Sequence, residues 1–157
     1  MKGKVLIIDD RMDNLIAGIK AIEELGIECI GVSEVKLSLK IIRKEDLLLV
    51  LTDMEMKEGR EAGMEIVKEC CKRGIPVGVV TMGSGHGHHK DEVHLLIPTF
   101  PFSDTSQLRE IETLGEEKDV DAYKKAFERL KKEIHLEENL AARERYRKYL
   151  GKGFIRE

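Results

Sequence analysis

The chain is short of cysteine, of long apolar runs and of surplus charge of either sign, and each shortage removes a class of function. Three cysteines are an odd number, and Cys70 and Cys71 are adjacent on an expected helix where their side chains diverge. No disulfide framework follows, and a reducing cytoplasm is the expected home. The opening apolar run Val5-Leu6-Ile7-Ile8 stops at Asp9-Asp10. It is too short for a signal peptide and far below the ~20 residues that span a bilayer, so the chain reads as neither secreted nor inserted. A net charge of -3 argues against nucleic acid as partner; the Lys and Arg residues between 124 and 148 alternate with Glu, as on a solvated helix face.

What is present suits one water-soluble globule. The 157 residues, 41% hydrophobic and 36% charged, fit a single compact domain. Residues 4–8 form an apolar, β-favouring run that ends in two acids, as a buried parallel strand does on meeting a loop. Residues 14–25 carry Leu15, Ile19 and Ile22 at helical spacing, with Asp13 placed to cap and Gly26 to terminate. A second strand over 28–32 precedes a helix with Val35, Leu39 and Ile42 on one face and Ser33 as its cap. A third strand over 47–51 ends at Thr52-Asp53, and a helix over 62–72 follows. Strands over 75–80 and 93–97 complete a repeated βα alternation, which predicts a five-stranded, doubly wound parallel sheet.

Beyond that, residues 81–92 are too rich in glycine for a full helix. Ser103 is placed to cap a helix over 107–114, and Val120, Tyr123, Phe127, Leu130 and Ile134 form a helical stripe. That stripe suits the core better than a partner, though its spacing leaves open a two-helix contact and a homodimer through the C-terminal helices. Residues 136–150 are strongly charged, with Leu136, Leu140, Tyr146 and Tyr149 available for packing. The expected division is a core over 1–102 and, over 103–157, a helical extension belonging to the same domain.

In a doubly wound sheet, ligands bind at the C-terminal edge of the strands. Asp9 and Asp10 follow the first strand, Asp53 ends the third and Thr81 the fourth, so three carboxylates and a hydroxyl are expected on one rim. Clustered carboxylates repel one another unless a cation intervenes, and oxygen-only ligands suit Mg2+ or Mn2+. Such a site can run phosphoryl chemistry with Asp53 as nucleophile and Thr81 as hydrogen-bond donor.

The run Lys4-Val5-Leu6-Ile7-Ile8-Asp9-Asp10 resembles the opening strand and acid pair of response-regulator receiver domains. Leu51-Thr52-Asp53-Met54-Glu55-Met56 is similar to the family's phospho-acceptor strand, and Thr81 after Val79-Val80 to its hydroxyl switch residue. The intervals between these residues are also similar, and the resemblance covers about residues 4–102. It implies a flavodoxin-like fold of receiver type and a stand-alone, cytoplasmic signalling protein rather than an enzyme. It further implies phosphorylation on Asp53, and Mg2+ held by Asp9, Asp10, Asp53 and the backbone carbonyl of Glu55. A sensor histidine kinase or phosphotransfer protein is then the donor, and output passes to a protein partner.

Three departures stand beside the resemblance. Receivers carry a lysine before a Pro-Phe after the fifth strand, and here Phe100 precedes Pro101-Phe102. The site is therefore expected to lack a charge-assisted contact of ~1.5–3 kcal/mol, unless Lys90 substitutes. The loop after Asp53, with Lys57, Glu58, Arg60 and Glu61, is longer and more charged than usual. The fourth helix is degenerate. Two alternatives follow: a phosphorylation-independent pseudo-receiver, and a small metal-dependent hydrolase using the same carboxylates with His86 or His88. The Gly/His run over 83–89 lacks the spacing of a metal or phosphate loop and reads as a flexible connection.

Overall fold

The computed structural model describes residues 3–59, 62–81, 108–112, 118–133, 140, 141 and 143. Its elements run β1 (Lys4–Ile8), α1 (Met12–Glu24), β2 (Glu28–Val32), α2 (Val35–Lys44), β3 (Leu47–Thr52), α3 (Gly63–Lys72), β4 (Val77–Thr81), β5 (Leu108–Glu112) and α4 (Val120–Glu133). All five strands are parallel, in the order β2-β1-β3-β4-β5. The chain leaves β1 to build β2 on one side and then returns to build β3 on the other. The rim between β1 and β3 is therefore the switch point at which a crevice opens.

Strand residues alternate between two apolar layers, as a period of two requires. Leu6, Ile8 and Val50 pack with Val35 and Ile42 of α2 and with Ile66, Val67 and Cys70 of α3. Val5, Ile7, Leu49 and Leu51 pack with Leu15 and Ile22 of α1 and with Tyr123, Phe127 and Leu130 of α4. The alternation breaks once. The β1–β3 register shifts between Lys4 and Val5, leaving Leu48 as an extra residue and placing Leu48 and Leu49 in the same layer. The Arg143 guanidinium donates to the carbonyls of Leu47 and Leu48 at 2.7 and 3.1 Å, satisfying backbone oxygens at this irregularity.

The helix boundaries follow the expected pattern with two changes of cap. Gly26 and Gly74, at φ 77° and 68°, lie just beyond α1 and α3, where the left-handed conformation closes a helix. α1 begins at Met12, so Asp13 stands inside its first turn and not at the cap. Ser33 does not cap α2: the Val35 N–H instead donates to a Glu58 carboxylate oxygen at 2.8 Å, a cap supplied by the loop after β3.

One expected helix is a strand. Residues 108–112, placed within a helix over 107–114, form β5 and pair with β4 from Val77↔Leu108 to Thr81↔Glu112. The sequence Leu-Arg-Glu-Ile-Glu is too short for its periodicity to decide between the two forms. An edge strand also needs fewer apolar positions than the run over 93–97 that was expected in its place. That run lies outside the described residues, as do the 83–89 loop, Lys90 and most of 136–150. The fifth strand and the helix that closes the sheet thus come after residue 102. The stripe on α4 turns inward, with Tyr123, Phe127 and Leu130 all buried, so these three side chains are occupied by the core. Among the described residues, no helix is long and apolar enough to cross a membrane.

Candidate functional site

β1 and β3 run side by side, and the chain places an acid at the end of each. The Asp9 N–H donates to the Val32 carbonyl at 3.2 Å and the Asp53 N–H to the Ile8 carbonyl at 3.0 Å, so both residues continue the ladder onto the rim. One carboxylate oxygen from each of Asp9, Asp10 and Asp53 lies within 4.8 Å of the other two. Glu55, two residues beyond Asp53, is not in that group. Thr81 is the last residue of β4, the strand beside β3, so its backbone reaches the same rim.

The three acids stand in different surroundings. Asp9 is wholly buried. Its Oδ1 accepts the Arg11 N–H at 3.0 Å, and its Oδ2 accepts the Asn14 amide at 3.2 Å and the Lys118 ammonium at 3.1 Å. Asp53 is 21% exposed and accepts the Met54 N–H at 2.8 Å. Burial pushes the Asp53 carboxyl above its ordinary value and Asp9 adds to the rise, while Lys118 pulls against both. The backbone here has no slack: Gly63 donates its N–H to the Met54 carbonyl, and a β-carbon at Gly63 would run into the Asp53 carbonyl.

Lys118 overturns the expectation of a site without a cation. Its side chain is 3% exposed, and its ammonium lies 3.1 Å from Asp9 Oδ2 and 3.3 Å from Asp53 Oδ2. It follows β5 and precedes α4 by two residues. The place after the fifth strand is therefore filled, by a lysine followed by Asp119 instead of Pro-Phe. Reading 93–97 as the last strand hid it. The signal was Lys118-Asp119 ahead of the apolar stripe, since Asp119 caps α4 by accepting the Ala122 N–H at 2.8 Å.

Three carboxylates against one ammonium leave a double negative charge on the rim. That is the charge a divalent cation neutralises, and the donors are all oxygen, as Mg2+ prefers. Tyr123, buried one turn into α4, completes the surroundings: burial pushes its phenol well up, as do the nearby carboxylates of Asp9 and Asp53.

No protein-family model and no curated protein matches the sequence. Solved structures do match. The chain is similar to the chemotaxis response regulator CheY4 of Vibrio cholerae, with a TM-score of 0.61 and 16% identity over 83% of this chain and 99% of that one. It is similar to a response regulator receiver domain protein (CheY-like) from Methanospirillum hungatei JF-1, with a TM-score of 0.60 and 19% identity over 85% and 97%. A two-component response regulator from Clostridium difficile gives 0.61 and 15% over 85% and 97%. The chain has a receiver fold. A de novo designed Rossmann 2x3 protein matches as well, with a TM-score of 0.55 and 19% identity over 84% and 91%. A receiver fold therefore carries no chemistry by itself, and the functional argument rests on the rim.

Proposed function

We propose that this receiver-fold protein takes a phosphoryl group on Asp53 and signals by protein contact. The observation that carries the reading is Lys118, which joins Asp9 and Asp53 inside a cluster of three carboxylates. In the transfer, a carboxylate oxygen of Asp53 forms a new bond to phosphorus. The bond from phosphorus to the donor's nitrogen or acyl oxygen breaks, and its electron pair leaves with the donor. Lys118 stands where its ammonium can hydrogen-bond the arriving phosphoryl oxygens, and Thr81 is assigned a second such contact. Asp9, Asp10 and Asp53, with the Glu55 backbone carbonyl, are assigned to hold Mg2+ or Mn2+, whose charge would offset that of the phosphoryl group.

A sensor histidine kinase or phosphotransfer protein in the cytoplasm is the donor this chemistry asks for. Incubation with acetyl phosphate and Mg2+, followed by intact-mass measurement, should show one added phosphoryl group that Asp53→Asn abolishes. A wild-type protein that gains no mass under these conditions would leave the phosphorylation-independent module as the better account. Of the three departures behind that module, the missing lysine weighs less now that Lys118 joins Asp9 and Asp53, while the long charged loop after Asp53 still favours it.

A further inference from the structure

The charged segment after Asp53, which the phosphoryl reading leaves without a task, is folded back on itself and clasped to α2. The Met56 N–H donates to the Gly59 carbonyl at 3.0 Å and the Gly59 N–H to the Met56 carbonyl at 2.9 Å, so Lys57 and Glu58 form the tip of a tight hairpin. The tip meets the start of α2 in two places. The Lys57 ammonium lies 3.7 Å from the Glu34 carboxylate, with both side chains 55% exposed, and a pair so open to water contributes little. The Glu58 contact is of another kind. Its carboxylate accepts the Val35 N–H at 2.8 Å, a charge-assisted bond at a helix start, where the helix dipole also favours negative charge. α2 depends on it, because Glu34 at the cap position makes no capping hydrogen bond with its own side chain.

Glu55 stands between Asp53 and this clasp. Met54 and Met56 on either side of it bury their side chains in the α2–α3 layer, and the Met54 carbonyl accepts the Gly63 N–H at 2.9 Å. We infer that Glu58 is a positioning residue for the divalent cation: by clasping the hairpin to α2, it holds the backbone at Glu55 ready for an ion at the acids. The inference rests on the phosphoryl-acceptor reading above, in which the Glu55 carbonyl joins Asp9, Asp10 and Asp53 around Mg2+. A backbone ligand on a loose loop must be ordered when the ion arrives, and that ordering weakens binding; a loop already fastened avoids the loss. The coupling is reciprocal. A cation that gains from the clasp must tighten the start of α2 by the same factor.

The test compares Glu58→Ala with Glu58→Gln, which loses the charge but keeps an oxygen to accept the Val35 N–H. Titration with Mn2+, with the free ion followed by electron paramagnetic resonance, should show binding about two- to fivefold weaker in Glu58→Ala, up to the factor that a typical helix cap is worth. Glu58→Gln should bind within about twofold of wild type. Amide hydrogen exchange over residues 33–38 of wild type should slow about two- to fivefold when Mg2+ is added, and in Glu58→Ala it should not respond to Mg2+. Three results overturn the inference and leave the acceptor reading standing: wild-type affinity in Glu58→Ala, equal weakening in both variants, which would make lost charge the cause, or exchange at the start of α2 that ignores Mg2+ in wild type. If wild type itself takes up no Mn2+, the cation assigned in the acceptor reading falls and the positioning role falls with it.

Discussion

On the α2–α3 side of the sheet the apolar cluster is aliphatic and sulfur-bearing, the buried Ser38 hydroxyl turns back to donate to the Glu34 carbonyl at 2.6 Å, and the charges stay at the edge, where Glu69 pairs with Arg43 at 2.7 Å and Arg73 at 3.2 Å. On the α1–α4 side the layer also contains Tyr123, whose phenol lies near enough to Asp9 and Asp53 to feel their charge, and its helix begins next to Lys118. Both sides are closely packed, yet among the described residues it is the second whose helix start brings a cationic side chain to the rim. A helix that both buries a face and supplies a charge to the site couples the stability of the fold to the state of the acids. A helix that only buries a face does not.

The largest effects should come from emptying either core. Phe127→Ala on α4 and Ile66→Ala on α3 should each destabilise by about 3–4 kcal/mol, read from denaturant melts. If the comparison holds, only Phe127→Ala should also slow labelling of Asp53 in the fraction that remains folded. Lys118→Met comes next: its labelling rate should fall about ten- to a hundredfold, from the loss of a charge-assisted contact of ~1.5–3 kcal/mol. Its melting point should respond more steeply to Mg2+ than that of wild type, because the cation replaces the missing positive charge beside Asp9 and Asp53. Gly63→Ala should cost about 1–3 kcal/mol, since the new methyl group meets the Asp53 carbonyl and the loop must shift.

The smallest effect is the sharpest test, because the two sides should respond to acid with opposite signs. Burial pushes the Glu69 carboxyl up, but the hydrogen bonds from Arg43 and Arg73 outweigh it and hold the group below its ordinary value. Its contribution is present above the unfolded value and lost as pH falls through the folded one. Asp53 is raised, so its contribution is present below the unfolded value and lost as pH rises through the folded one. In metal-free buffer between about pH 3 and 6, Glu69→Gln should lose stability relative to wild type as pH rises, and Asp53→Asn should gain it. Parallel slopes in the two variants would refute the assignment.

Much of the site could be read from local pattern. An apolar run of strand type that stops at an acid fixes both the strand and the position of the acid on its rim, so Asp9, Asp10 and Asp53 could be grouped once the βα alternation was recognised. The α4 stripe was legible for the same reason: 3.6-residue periodicity is a property of neighbours in sequence. β5 was not legible, because a five-residue edge strand has too little periodicity of its own and becomes a strand by pairing with β4. The error at β5 then hid Lys118, since a residue's place on the rim is known only when the strand before it is.

The sequence by itself determined the alternation of strands and helices, the two apolar layers and the acids at the ends of β1 and β3, all of which depend on residues a few positions apart. The tertiary structure alone decided that Glu58 caps α2, that Arg143 closes the irregularity beside Leu48, that Gly18 makes room for Tyr123 and that Lys118 meets an acid 109 residues away. These pairings join groups distant along the chain. Which donor meets which acceptor is settled only when the closed sheet has removed water from both.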